Sequence, residues 1–96
     1  MKTYRLVFKA DAHKEWKKLG APIRSQFETK LKKLLPSPRV LSAKLRGFPD
    51  CYRIKLRKVG YRLVYRVDDD RIVVIVIAVG RREQNEVYET AARRIE

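Results

Sequence analysis

Ninety-six residues, 45% of them hydrophobic and 36% charged, are too few for two ordinary domains and too apolar for a disordered chain. Lys and Arg number 24 against 11 Asp and Glu, a formal net charge of +13, so a polyanionic partner is expected: nucleic acid, an anionic membrane surface or an acidic protein. A single cysteine, Cys51, and a single histidine, His13, exclude an internal disulfide, a cysteine-based zinc site and histidine-pair catalysis.

The chain punctuates itself with Gly and Pro between periodic segments. Tyr4, Leu6 and Phe8 alternate with Arg5 and Val7, which predicts a strand. Asp11 to Leu19 carries Ala12, Trp16 and Leu19 at helical spacing, with Lys14, Lys17 and Lys18 outside, and Gly20 ends it. Pro22 opens a second helix whose buried stripe is Ile23, Phe27, Leu31 and Leu34; Pro36 and Pro38 close it. Ala43 to Arg46 reads as a short strand. Cys51 to Arg57 alternates strictly, Tyr52, Ile54 and Leu56 inward and Arg53, Lys55 and Arg57 outward. Tyr61, Leu63, Tyr65 and Val67 form the apolar face of the next strand. Asp68 to Asp70 is a turn. Ile72 to Val79 is apolar on both faces and belongs in the middle of the sheet, far too short to cross a bilayer. Asn85 to Ile95 is a final short amphipathic helix. The N-terminus leads into an alternating strand, not a secretory apolar region. The expectation is therefore one cytoplasmic α+β domain over residues 1–96, with no membrane partner. It has a small antiparallel-rich sheet of about four strands, an N-terminal helical hairpin on one face and a short C-terminal helix.

Charge is unevenly placed. Residues 46–66 hold seven basic side chains and only Asp50, and β alternation collects them on one face, whereas the basic residues of 1–45 spread around two helices. Register sharpens the contrast. With Lys55 opposite Arg62, Ile54 meets Leu63 and Leu56 meets Tyr61, and every apolar residue shares a face; a slip of one residue mixes the faces. Arg53, Lys55, Arg57 and Arg62 then form one cationic patch. Like charges facing one another across strands repel, and a bound phosphodiester relieves that repulsion. Arg81 and Arg82 add cations just past the central strand. Tyr88, a turn or two into the last helix, either packs in the core or faces this patch. Trp16 reads as core, His13 as surface, Cys51 as a small buried residue, and Glu83, Glu86 and Glu89 as solvated helix residues.

Five segments then carry a resemblance. They are Lys14-Glu15-Trp16-Lys17-Lys18-Leu19, the run from Lys44 to Arg57, Gly60-Tyr61-Arg62-Leu63-Val64-Tyr65, Val79-Gly80-Arg81-Arg82-Glu83, and Glu86-Val87-Tyr88. Together they resemble the RelE toxin family of bacterial toxin–antitoxin modules over essentially the whole chain. The resemblance implies a ribosome-dependent endoribonuclease that cuts mRNA in the ribosomal A site, and a RelB-type antitoxin that wraps and blocks it. DNA would be met only through the antitoxin complex. It implies catalytic roles for Arg53, Lys55, Arg62, Arg82 and Tyr88, and an RNA-proximal role for Arg46. One departure stands at Arg53, where lysine is usual in the family: charge is kept, but an arginine holds a phosphate and does not move protons.

RNA cleavage through its own 2′-hydroxyl needs a base, charge neutralisation on the phosphate and an acid at the leaving 5′-oxygen. With no histidine pair, the base falls to Tyr88 or Lys55, groups that hold their protons to about pH 10 unless neighbouring cations intervene. Arg53, Lys55 and Arg62 are expected on the phosphate oxygens and Arg82 at the leaving group. No metal or other cofactor is implied, because the patch lacks carboxylates. Arg57, Lys58 and Arg81, with Lys30, Lys32 and Lys33 of the second helix, are expected to grip RNA or the ribosome as positioning charges. Two other readings stay open: a non-catalytic ribosome- or RNA-binding protein, and a ParE-like gyrase poison on the same scaffold. Neither requires Lys55, Arg62, Arg82 and Tyr88 to converge.

Overall fold

The computed structural model describes residues 3–81 and 86–95. In chain order the elements are β1 (Arg5–Phe8), α1 (Ala10–Lys18), α2 (Ala21–Leu34), a 3-10 turn (Leu41–Ala43), β2 (Cys51–Leu56), β3 (Tyr61–Asp68), β4 (Val73–Arg81) and α3 (Glu86–Ile95). The strands form one mixed sheet in the order β1-β4-β3-β2. Strand β1 lies parallel to β4, and the other two pairings are antiparallel. This is the α+β arrangement that the periodicities predict.

Two apolar layers sandwich the sheet. On one face Trp16, Phe27 and Leu31 of the helical hairpin pack against Ile54, Leu63, Tyr65 and Val76. On the other, Val87 and Ala91 of α3 cover Cys51, Val64, Ile77 and Ala78. Burial explains the pattern, since each of the large aliphatic and phenyl side chains gains about 1.5–3 kcal/mol on leaving water. Tyr65 is fully buried, donates its hydroxyl to the Pro38 carbonyl at 2.8 Å, and burial pushes its phenol pKa well up. Cys51 is likewise buried, and desolvation raises its thiol pKa.

The β2–β3 register is the one the apolar faces demand: Lys55 opposite Arg62, Ile54 opposite Leu63, Leu56 opposite Tyr61. The connecting turn closes on Gly60, whose φ of +71° suits glycine and whose N–H donates to the Leu56 carbonyl at 2.9 Å. Between β3 and β4 the register shifts after Val64, so that Ile77 is an extra residue. Ile77 and Ala78 both lie in the α3-side cluster, widening the apolar seat for that helix.

Three details depart from expectation. Residues 43–46 form no strand: the 3-10 turn ends at Ala43, and Lys44 makes a single bridge to Tyr52. Gly47 and Asp50, at φ 76° and 60°, then reverse the chain too sharply for a ladder to grow. Ile72 lies outside β4, in the turn, at φ 57°. A left-handed β-branched residue costs roughly 1–2 kcal/mol, set here against the bond its carbonyl accepts from Arg5 N–H at 3.0 Å. Strand β4 also runs on to Arg81, beyond the expected end at Val79. Of the expected last helix, Asn85 lies outside the described residues.

Candidate active site

Alternation along β2 and β3 turns Tyr52, Ile54 and Leu63 toward the hairpin and leaves Arg53, Lys55 and Arg62 on the opposite face. Lys55 and Arg62 are cross-strand partners, so their stems begin about 5 Å apart. Arg62 also pairs with Gly80 of β4. The missing side chain there lets α3 come close: a Cβ at Gly80 would stand 3.2 Å from Val87 Cγ2. One residue on, Tyr88 arrives over Arg62. The Arg62 guanidinium donates from Nη1 to the Tyr88 hydroxyl oxygen at 2.8 Å, and its carbon stands 5.7 Å from the ring centroid. Both side chains are half-buried. Tyr88 thus does both things weighed from the sequence, since its ring packs against the α3-side core and its hydroxyl faces the patch.

Strand β2 is an edge strand, and the cationic face continues around that edge. An open groove of about 430 Å³ lies between β2 and α2, with Lys30, Lys33, Arg53 and Lys55 among its lining and Leu34 and Val40 on its apolar side. Arg57 and Lys58, exposed at the hairpin turn, share a smaller cleft with Lys30 and Lys55. Lys32 is exposed on α2 and does not line these clefts, and Arg46 is exposed in the loop before β2. Arg81 pairs with Tyr61 and lies over its ring at 5.8 Å. Since Tyr61 packs with the hairpin core, Arg81 stands on the opposite face from Arg62. The alternation rule applied through Gly80 predicts this. Arg82 and Glu83 lie outside the described residues, as does the side chain of Glu86; Glu89 is exposed.

Ion pairs elsewhere contrast with the surroundings of Arg53, Arg57 and Arg62. Arg39 bridges Asp50 at 2.9 Å and Asp69 at 2.7 Å, and Arg94 bridges Glu15 at 2.8 Å. Among the described residues no carboxylate forms an ion pair with Arg53, Arg57 or Arg62. These cations are placed to hold an anion from outside. A half-buried Arg beside a hydroxyl it orients is a means of stabilising charge on a phosphate and of fixing a proton-handling group next to it. The Arg39 clamp and the Glu15–Arg94 pair have no sequence signal, because their partners lie far apart in the chain.

Residues 6–86 match the family model described as ParE toxin of type II toxin-antitoxin system, parDE. The chain is 56% identical over 92 residues to the mRNA interferase toxin RelE of Escherichia coli K12, covering 96% of this chain and 97% of that one. The chain belongs to the RelE toxin family. A variant of E. coli RelE in the free state, with two arginines replaced by alanine, superposes with a TM-score of 0.92 at 54% identity over 99% of this chain and 100% of that chain. RelE in the intact E. coli RelBE toxin–antitoxin complex does so with a TM-score of 0.81 at 56% identity, over 84% of this chain and 99% of that chain. On this RelE scaffold Arg62, one of the residues the resemblance singles out, lies opposite Lys55 across the strands and bonds to Tyr88.

Proposed function

We propose that this chain is the toxin of a type II toxin–antitoxin module, an mRNA interferase that cuts ribosome-bound mRNA in the A site and so stops translation. The observation that carries the reading is the bond from Arg62, the cross-strand partner of Lys55, to the Tyr88 hydroxyl, on a chain so similar to a protein named mRNA interferase toxin. Neither a gyrase poison nor a passive RNA binder requires that convergence.

In the proposed reaction the 2′-oxygen of one nucleotide attacks the adjacent phosphorus. Tyr88 or Lys55 takes the 2′-hydroxyl proton. Arg53, Lys55 and Arg62 hold the phosphate oxygens as charge grows on them, and cationic preorganisation supplies the largest share of the rate. The bond to the 5′-oxygen breaks; Arg82, the residue the sequence motif offers at the leaving group, offsets the charge growing on that oxygen, which takes its proton from water. The products are a 2′,3′-cyclic phosphate and a 5′-hydroxyl. The ribosome supplies the in-line geometry that a flexible mRNA lacks. Lys30, Lys33, Arg57 and Lys58, with Arg46, Lys32 and Arg81, are the backbone-gripping charges.

The partner proposed for neutralising the +13 chain is a RelB-type antitoxin, the kind of protein found with E. coli RelE in its complexes. Among the described residues no helix is long and apolar enough to cross a membrane, and action on ribosomes places the proposed site of work in the cytoplasm. The test is to map cleavage by primer extension on mRNA held in defined ribosomal complexes, with the same mRNA free in solution. Cuts confined to the A-site codon support the reading. Equal cutting of free mRNA, or none in either, refutes it.

A further inference from the structure

Strand β1 pairs with β4 only from Val73 to Val76, and among the described residues the β1-side edge of β4 has no strand partner beyond that point. Two helices finish the ladder with side chains. Glu15 of α1 accepts the Val79 N–H on Oε1 at 3.2 Å. Arg94, in the last turn of α3, donates from Nη1 to the Ile77 carbonyl at 2.7 Å. The same Nη1 reaches Glu15 Oε1 at 2.8 Å, and Nη2 reaches Oε2 at 3.2 Å. Lys9 donates to the Arg94 carbonyl at 2.6 Å, at the end of the helix. The Arg94 and Glu15 side chains are only 19% and 33% exposed. This is more than a surface ion pair, because it also takes up two backbone groups of the sheet.

The pair joins the two layers around the edge of β4: α1 packs on the hairpin face and α3 on the patch face. Tyr88 lies six residues before Arg94 on the same helix, about 9 Å along its axis. Whatever holds Arg94 therefore holds the helix that carries the Tyr88 hydroxyl to Arg62. We propose that Glu15, acting through Arg94, is a positioning residue of the active site. It touches neither the patch nor substrate, yet it fixes α3 against the sheet and so sets the 2.8 Å contact between Arg62 and Tyr88. This inference rests on the reading of Tyr88 as a working residue. Displacing a reacting group by about 1 Å is enough to cost on the order of 100-fold in rate.

The test compares Glu15→Gln, which keeps one acceptor oxygen, with Glu15→Ala, which keeps none, in the full chain. Hydrogen exchange followed by mass spectrometry reads the holding of α3. Amides of residues 86–95 should exchange about tenfold faster in Glu15→Ala and by less in Glu15→Gln, while those of β3 stay at their wild-type rates. Single-turnover cleavage on ribosomes should fall about tenfold or more at saturation, with half-saturation unchanged and the same rank order of variants. In a Tyr88→Phe background, Glu15→Ala should cost nothing further. Unchanged exchange in α3 overturns the inference, and so does a loss of rate that adds in full to that of Tyr88→Phe. A wild-type rate for Tyr88→Phe alone overturns instead the reading of Tyr88 on which the inference rests, and the exchange data still report separately whether Glu15 holds the helix.

Discussion

Replacing Tyr88 by Phe removes one oxygen and leaves the ring. The ring keeps its place against the α3-side core and its stacking with the Arg62 guanidinium, 5.7 Å from centroid to carbon. What is lost is the acceptor for Arg62 Nη1 at 2.8 Å. A hydrogen bond to a charged group contributes about 1.5–3 kcal/mol when buried, but both partners here are half-exposed and water replaces much of it, so about 1 kcal/mol is the expected cost. For a chain of this length that lowers Tm by about 4–8 °C. With a typical stability of at least 5 kcal/mol, well over 99% of the variant stays folded at 25 °C. Loss of a general base costs about 100- to 10,000-fold. The two effects therefore differ by orders of magnitude in an assay of folded protein. The assay is single-turnover cleavage of ribosome-bound mRNA, run beside a thermal melt and a ribosome-binding measurement. A wild-type rate would refute the assignment and leave Tyr88 as packing. Lys55 is then the base, and Lys55→Met and Lys55→Arg should both be severe, since arginine does not give up its proton. If Lys55→Arg also cleaves at the wild-type rate, the proton goes to a ribosomal group or a water.

Three further outcomes are expected. Arg62→Ala loses the same bond to Tyr88 and the ring contact as well, so it should lower Tm by at least the roughly 4–8 °C worked out above while leaving the protein folded at 25 °C, and should cut single-turnover cleavage by orders of magnitude; cleavage at the wild-type rate removes Arg62 from the mechanism. Cys51, buried and with its thiol pKa raised by desolvation, should resist alkylation in the native protein and react at once in denaturant; fast native labelling would contradict its place in the core. The Asp69 carboxyl is held below its usual range by the Tyr4 hydroxyl and then by Arg39. Its contribution to stability is therefore present above about pH 4 and lost as pH falls through the lowered value. Urea unfolding at pH 7 and pH 3 should show a smaller drop between the two for Arg39→Ala than for wild type; equal drops would refute this.

Much of this architecture could be read from alternation and punctuation. The strict alternation of 51–57 and the apolar face of 61–67 leave only one register that keeps charge out of the core, and that register places Lys55 opposite Arg62. The stripe Ile23, Phe27, Leu31, Leu34 marks the buried side of α2 for the same reason. What could not be read depends on distant partners or on backbone strain. The segment from Ala43 to Arg46 looks like a strand locally, but the left-handed Gly47 and Asp50 cut its pairing to one bridge. Ile72 has strong strand propensity, and the turn claims it instead. At the site, the sequence placed Arg53, Lys55 and Arg62 together and left Tyr88 undecided. The Gly80 contact with Val87 that brings Tyr88 in is a tertiary fact, as is the Glu15–Arg94 pair, whose partners are 79 residues apart.

In the proposed reaction this cationic face cleaves RNA through RNA's own 2′-hydroxyl. The most direct measurement is end-group analysis of the cut mRNA, made with an all-ribose A-site codon and with a single 2′-deoxy nucleotide on the 5′ side of the scissile phosphate. A 2′,3′-cyclic phosphate upstream and a 5′-hydroxyl downstream are expected for the ribose substrate, and no cleavage at the deoxy position. A 5′-phosphate on the downstream fragment, or undiminished cleavage at the deoxy position, would contradict the proposed reaction.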